Sequence, residues 1–86
     1  MNKKLLVISA LWCPSCLLLK KQLKRLKEEY PLLEIHEYDY DFDEEVVGKY
    51  DVGKILPVLI YIKDNKEEKR IVGEKDYQDI INMLGE

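Results

Sequence analysis

The chain has 86 residues and a formal net charge of −3, with 47% apolar and 36% charged residues. A chain of this length closes one core, so a single domain over residues 1–86 is expected, with the composition of a soluble globular protein rather than a disordered or fibrous one. The acidic balance argues against nucleic acid as a partner, no apolar run reaches the roughly 18 residues of a membrane-spanning helix, and a monomer is expected.

Met1-Asn2-Lys3-Lys4 followed by Leu5–Leu11 has the basic and then apolar order of a secretory signal. Leu11 and Trp12, however, stand where cleavage would need small residues, and cleavage would remove the first strand. Without a signal, two cysteines point to a reducing compartment, and the expected location is cytoplasmic. Residues 4–10, KLLVISA, are a short apolar run suited to a strand buried on both faces. From Pro14 to about Glu29 the period becomes helical, with Leu17, Leu18, Leu23 and Leu26 as the apolar set and Lys20, Lys21, Lys24, Arg25 and Lys27 on the other face. Pro14 suits the first turn of that helix and Pro31 stops the chain after it.

Residues 33–40, LEIHEYDY, alternate as a second strand, which makes the first crossover a parallel one. Asp43 is placed to cap a short helix running to about Tyr50, with Glu44 and Glu45 in its first turn. A strand beginning at Pro57, a turn at 63–66 and a more polar edge strand at 67–72 make a hairpin that Gly73 ends. Asp76 to Leu84 reads as a final capped helix with Tyr77, Ile80, Ile81 and Leu84 on one stripe. The order βαβαββα predicts an α/β domain: a four-stranded mixed sheet of order 2-1-3-4 with helices on both faces.

Both cysteines lie in Leu11-Trp12-Cys13-Pro14-Ser15-Cys16, where a buried strand gives way to a helix. Helix N-termini favour negative charge, and in Cys-x-x-Cys motifs they lower a thiol from about 8.5 to roughly 3.5–7.5. Cys16 lies one turn on and faces the same side. The pair can therefore open and close a redox-active disulfide, Cys13 attacking a substrate disulfide and Cys16 resolving the mixed disulfide. Zinc would need four ligands where the chain offers Cys13, Cys16 and His36, and a fixed disulfide would close too short a loop to constrain the unfolded chain much. Two merely buried thiols are a further alternative. His36 is a general base by type, but a lone strand histidine is expected to be a surface or packing residue.

Trp12-Cys13-Pro14-Ser15-Cys16 after an apolar strand, Leu56-Pro57 opening a hairpin and Val72-Gly73 before the last helix together resemble the thioredoxin superfamily over the whole chain. The resemblance implies a minimal thioredoxin fold, a cis-proline at Pro57 beside the cysteines, and a substrate surface of Trp12, Leu56, Pro57 and Gly73, with the Leu56 backbone free to pair with an extended segment. On the residues alone, Pro57 could equally start an edge strand. Trp12 is similar to thioredoxin, whereas Cys13-Pro14-x-Cys16 and the chain length are similar to glutaredoxin. The buried Asp of thioredoxin is replaced by Val7, so Cys16 must pass its proton to another base or to water. The stretch VGEKD lacks the Gly-Gly of glutathione-binding glutaredoxins, and Asp76 is expected as a helix cap rather than a ligand.

The implied function is a dithiol oxidoreductase that reduces protein disulfides with no bound cofactor and no metal, recharged by a thioredoxin-reductase-like flavoenzyme. Its alternatives are a glutathione-dependent glutaredoxin-like reductase and a thioredoxin-fold binding adaptor. The acidic run from Glu37 to Glu45 is expected as a solvated loop and helix start, or else as a docking surface for the reductase.

Overall fold

β1 (Lys3–Ser9) is an inner strand of the sheet, and its apolar run follows from that position. Successive strand side chains point to opposite faces, so a strand covered on both sides is apolar at every step. Leu5 and Val7 enter one layer and Leu6 and Ile8 the other. The computed structural model describes residues 3–85, which continue through α1 (Pro14–Glu29), β2 (Glu34–Asp39), α2 (Glu44–Lys49), β3 (Val58–Lys63), β4 (Lys66–Val72) and α3 (Tyr77–Leu84). The sheet order is β2-β1-β3-β4, with β1 parallel to β2 and antiparallel to β3, as the element pattern predicts.

One layer packs Leu19, Leu23 and Leu26 of α1 and Ile80, Met83 and Leu84 of α3 against Leu5, Val7, Leu59 and Tyr61. The other packs Cys13, Cys16, Val52 and Leu56 against Leu6, Ile8, Val58 and Ile60, with Val47 and Tyr50 of the α2 region over them. The helices therefore do lie on both faces.

The buried stripe of α1 differs from the one expected. It runs Cys16, Leu19, Leu23, Leu26, whereas Leu17 and Leu18 are 64% and 47% exposed. Steps of three, four and three keep one face toward the sheet, and residues 17 and 18 fall outside that arc. The α3 stripe likewise contains Met83, with Tyr77 and Ile81 only partly buried beside it.

Helix ends differ in how they are closed. Asp76 caps α3 by a reciprocal pair of bonds: its carboxylate accepts from the Asp79 N–H at 3.0 Å, and the Asp79 carboxylate accepts from the Asp76 N–H at 3.3 Å. Asp43 holds the N-cap position of α2 without capping it through its side chain. That carboxylate instead accepts from the Asp39 N–H at 2.7 Å, while its carbonyl accepts from Val46 and Val47. The β3–β4 turn is made by Asp64 and Asn65, both in the left-handed region at φ 53° and 67°, the conformation that a two-residue hairpin requires.

Candidate redox site

The site begins where β1 runs out. The Cys13 N–H donates to the Ala10 carbonyl at 3.2 Å, turning the chain through Leu11 and Trp12. Cys13 then stands at the N-cap of α1 with extended backbone, and Pro14 enters the first turn, where its missing N–H is not needed. No side chain caps the helix and no acidic residue occupies its first turn. The positive end of the α1 dipole is thus uncompensated by a carboxylate at the Cys13 position.

Both cysteines are free thiols, 6% and 3% exposed for Cys13 and Cys16. Burial, foremost, and then the neighbouring Cys13 side chain push the Cys16 thiol up to about 11, while the Ala10 backbone and the Lys20 ammonium act in the opposite direction. Cys16 is therefore held in its protonated form. Val7 is 1% exposed in the apolar layer under α1, and among the described residues no polar or charged side chain is buried, so no buried carboxylate accompanies the pair.

A second wall comes from later in the chain. The Leu56–Pro57 peptide is cis, and the Gly73 N–H donates to the Pro57 carbonyl at 2.8 Å. Gly73 has φ +88°, and a β-carbon there would meet Cγ2 of Ile55 at 3.6 Å. The glycine is thus required by backbone conformation more than by lack of space. Ser15, Pro57 and Gly73 line one small hollow, and Leu56 packs in one cluster with Cys13 and Cys16. Among the described residues neither the N–H nor the C=O of Leu56 has a hydrogen-bond partner.

Trp12 forms a third side. Its indole lies edge-on to Tyr40, ring centroids 6.3 Å apart at 88°, and its N–H donates to Asp41 at 2.7 Å. Asp41 is held in turn: Asp39 Oδ1 accepts from the N–H groups of Asp41 and Phe42, at 2.8 and 3.1 Å. The structure thus brings together Trp12, Cys13, Cys16, Leu56, Pro57 and Gly73. Asp41 and Tyr40 are additions that sequence reasoning did not single out. The signal was the alternating Asp39-Tyr40-Asp41-Phe42-Asp43, where aspartates favour side-chain-to-backbone turns. His36 lies apart on β2, across from Leu6 and 3.6 Å from Glu34. A cavity of about 510 Å³ walled by Tyr30, Pro31, Leu33 and Tyr61 is at the opposite end of β1. No helix among the described residues is long and apolar enough to cross a membrane.

Two thiols in contact, beside a strip of unpaired backbone, make a dithiol–disulfide exchange site on an α/β scaffold. Residues 1–86 match the family described as thioredoxin, and the chain belongs to the thioredoxin family. It is similar to the thioredoxin of Chlamydia trachomatis, with 37% identity over 73 residues covering 85% of this chain and 71% of the relative. It is similar also to thioredoxin-2 of Saccharomyces cerevisiae, 32% identical over 72 residues that cover 81% of this chain and 68% of that one. Among solved structures, the X-ray structure of Fasciola hepatica thioredoxin superposes with a TM-score of 0.88 at 27% identity, covering 98% of this chain and 80% of that chain. The chain is a thiol–disulfide oxidoreductase of minimal thioredoxin fold, and proteins bearing disulfides are its substrates.

Proposed function

We propose that Cys13 is the attacking thiol and Cys16 the resolving thiol of a cytoplasmic, monomeric, single-domain reductase of protein disulfides. The observation that carries this assignment is position: Cys13 stands at the N-cap of α1, where the helix dipole favours a thiolate, whereas Cys16 lies one turn further in, 3% exposed, where burial favours the protonated thiol.

In the proposed cycle the Cys13 thiolate attacks one sulfur of the substrate disulfide. The S–S bond breaks, one substrate thiol leaves, and a mixed disulfide joins Cys13 to the other half. Cys16 then gives up its proton and attacks the Cys13 sulfur, closing the Cys13–Cys16 disulfide and releasing the second substrate thiol. Two electrons have passed to the substrate. With Val7 in place of a buried acid, the proton leaves to water or to the departing thiolate. A thioredoxin-reductase-like flavoenzyme returns the two electrons.

The groove for the substrate is formed by Trp12, Leu56, Pro57 and Gly73. An extended segment beside the target cysteine pairs with the unpartnered Leu56 backbone, as a strand adds to an open edge. The thioredoxin identity of the relatives favours the flavoenzyme over glutathione, and the single Gly73 in Val72-Gly73-Glu74-Lys75-Asp76 gives no contrary signal.

The test is turnover of a protein disulfide with NADPH and a thioredoxin-reductase-like flavoenzyme, run beside glutathione as donor. Activity with the flavoenzyme that Cys13→Ser abolishes, and a trapped mixed disulfide with Cys16→Ser, are the expected results. Activity with glutathione alone would overturn the choice of donor, and full activity of Cys13→Ser would overturn the assignment of the thiols.

A further inference from the structure

The wall that carries Leu56 and Pro57 has little of its own to hold it. α2 buries no residue completely, and its valines Val46 and Val47 are only half-buried. Between the Val52 N–H, which donates to Val47, and the Pro57 carbonyl, which accepts from Gly73, no backbone group forms a hydrogen bond among the described residues. The start of this segment is fixed from elsewhere. Arg70, on β4, donates through Nη2 to the Tyr50 carbonyl at 2.7 Å and through Nη1 to the Asp51 carbonyl at 3.4 Å. These are carbonyls at the negative end of α2, where a cation is favoured.

The guanidinium is itself fixed. Its Nε and Nη2 donate to the two oxygens of Glu67 at 2.9 and 2.7 Å, the planar two-bond pairing that only arginine makes. In a regular strand, residues three apart point to opposite faces. Here the β3–β4 register shifts between Tyr61 and Ile62, so that Glu67 lies across from Ile62 and Arg70 from Ile60, and Glu68 is the extra residue. Ile60 and Ile62 share the layer beneath α2. The bulge thus turns Glu67 to the same side as Arg70, the kind of re-aiming bulges perform near functional sites.

We propose that Arg70, oriented by Glu67 across this bulge, is a positioning residue for substrate recognition: it clamps the 50–57 segment so that the Leu56 backbone is presented beside Cys13. This rests on the reading of Leu56–Pro57 as the substrate wall. Arg70 touches neither thiol nor any reacting atom. Its removal frees the segment while leaving the chemistry of the pair in place, so binding of an extended protein segment suffers and thiol exchange with a small disulfide suffers less.

The experiment compares wild type, Arg70→Met, Arg70→Lys and Glu67→Gln on a protein disulfide and on a small aromatic disulfide, with thermal unfolding recorded for each. For Arg70→Met the KM for the protein disulfide is expected to rise about tenfold with little change in kcat, the pattern left when binding shared by the ground and transition states is lost. The ratio of kcat/KM values, protein over small disulfide, falls by the same factor. Arg70→Lys recovers part of the loss, because one ammonium can serve a carbonyl but not the fork. Glu67→Gln falls between, and keeps the proposal testable where Arg70→Met is poorly folded. An unchanged ratio in folded variants, or an equal loss on both substrates, would overturn the clamp. Absence of Cys13-dependent activity in the wild type would instead overturn the underlying function.

Discussion

The indole N–H of Trp12 donates to the Asp41 carboxylate at 2.7 Å, joining the loop before Cys13 to the loop after β2 across 29 residues of chain. The ring is 59% exposed. This bond, with the edge-on contact to Tyr40, holds a largely solvated aromatic in one orientation beside the thiols. As Trp12 is the one tryptophan of the sequence, its fluorescence reports on this ring alone. Asp41→Ala is expected to lower the anisotropy of the indole and to raise the KM for protein disulfides a few-fold. Asp41→Asn, which keeps an acceptor oxygen, should stay near wild type. Stability should fall by about 1 kcal/mol or less in Asp41→Ala, because the pair is exposed.

The proton on Cys16 sets a pH dependence. Its thiol is raised from an ordinary value near 9 to about 11, so at neutral pH nearly all of it is protonated. Only the thiolate attacks, and in a Cys13 mixed disulfide the burial that raises Cys16 persists while the contributions of the Cys13 thiol do not, so in the proposed cycle the rate at which Cys16 releases the substrate should climb about tenfold per pH unit through neutral pH and level only above pH 9. Single-turnover release of a chromogenic thiol across pH 7–11 measures it. A plateau near neutral pH would mean that a base assists after all.

The same shift bears on stability. The folded, reduced chain retains a proton that the unfolded chain loses near pH 9, so the unfolded state binds fewer protons above that value. The stabilisation is present in full below pH 9 and declines as pH rises toward 11, by on the order of 2–3 kcal/mol. Tyr77, raised to about 12 by burial and its bond to Glu29, adds a decline that begins at higher pH. Urea unfolding of reduced wild type and Cys16→Ala at successive pH values separates the two, since only the cysteine contribution disappears in the variant.

The two faces of α1 predict a contrast in core substitutions. Leu26 is 0% exposed, and Leu26→Ala should destabilise by about 2–5 kcal/mol. Leu17→Ala, on the outward face, should shift stability by less than about 0.5 kcal/mol. Denaturant midpoints of the two variants decide whether the inward stripe starts at Cys16 or at Leu17.

Gly73→Ala tests the left-handed turn under Pro57. The position has φ +88° and only ordinary contact with Ile55, so the penalty comes from backbone strain and should be about 1–2 kcal/mol. The Gly73 N–H bond to Pro57 is expected to lengthen as the turn relaxes, and faster hydrogen exchange at that amide would reveal it.

The parts of the fold that could be read from sequence are those governed by local pattern. The period change at Pro14, the punctuation at Asp76 and Gly73, and the Cys-x-x-Cys placement each express a rule operating within a few residues, and the strands, helices and order 2-1-3-4 follow them. The leucine-rich start of α1 misled because Leu17, Leu18 and Leu19 are chemically alike, and only the sheet decides which of them faces inward. Cys16 belongs to the stripe, its chemistry masking its place in the core. The pattern predicts Asp43 as a cap, whereas the alternation of aspartates gives it a competing partner in the Asp39 N–H. For Asp41 the aspartate alternation signals a turn but not its partner Trp12, and nothing local signals Arg70, since each acts on a segment that only tertiary folding brings near.

The four residues from Cys13 to Cys16 are consecutive at one strand–helix junction, whereas the facing wall is assembled from Leu56 and Pro57, just before β3, and Gly73, just after β4. On the proposed reading, reactivity and one side of the groove, Trp12, sit at the junction, and the rest of the substrate surface lies in later loops. Loops tolerate exchange better than the elements they join. On that reading, exposed positions of these loops such as Ile55 and Glu74 could be exchanged to admit other protein partners, whereas Val52 and Leu56 pack with Cys13 and Cys16 and Asp76 caps α3, so the clientele of this scaffold can be changed only around those fixed points.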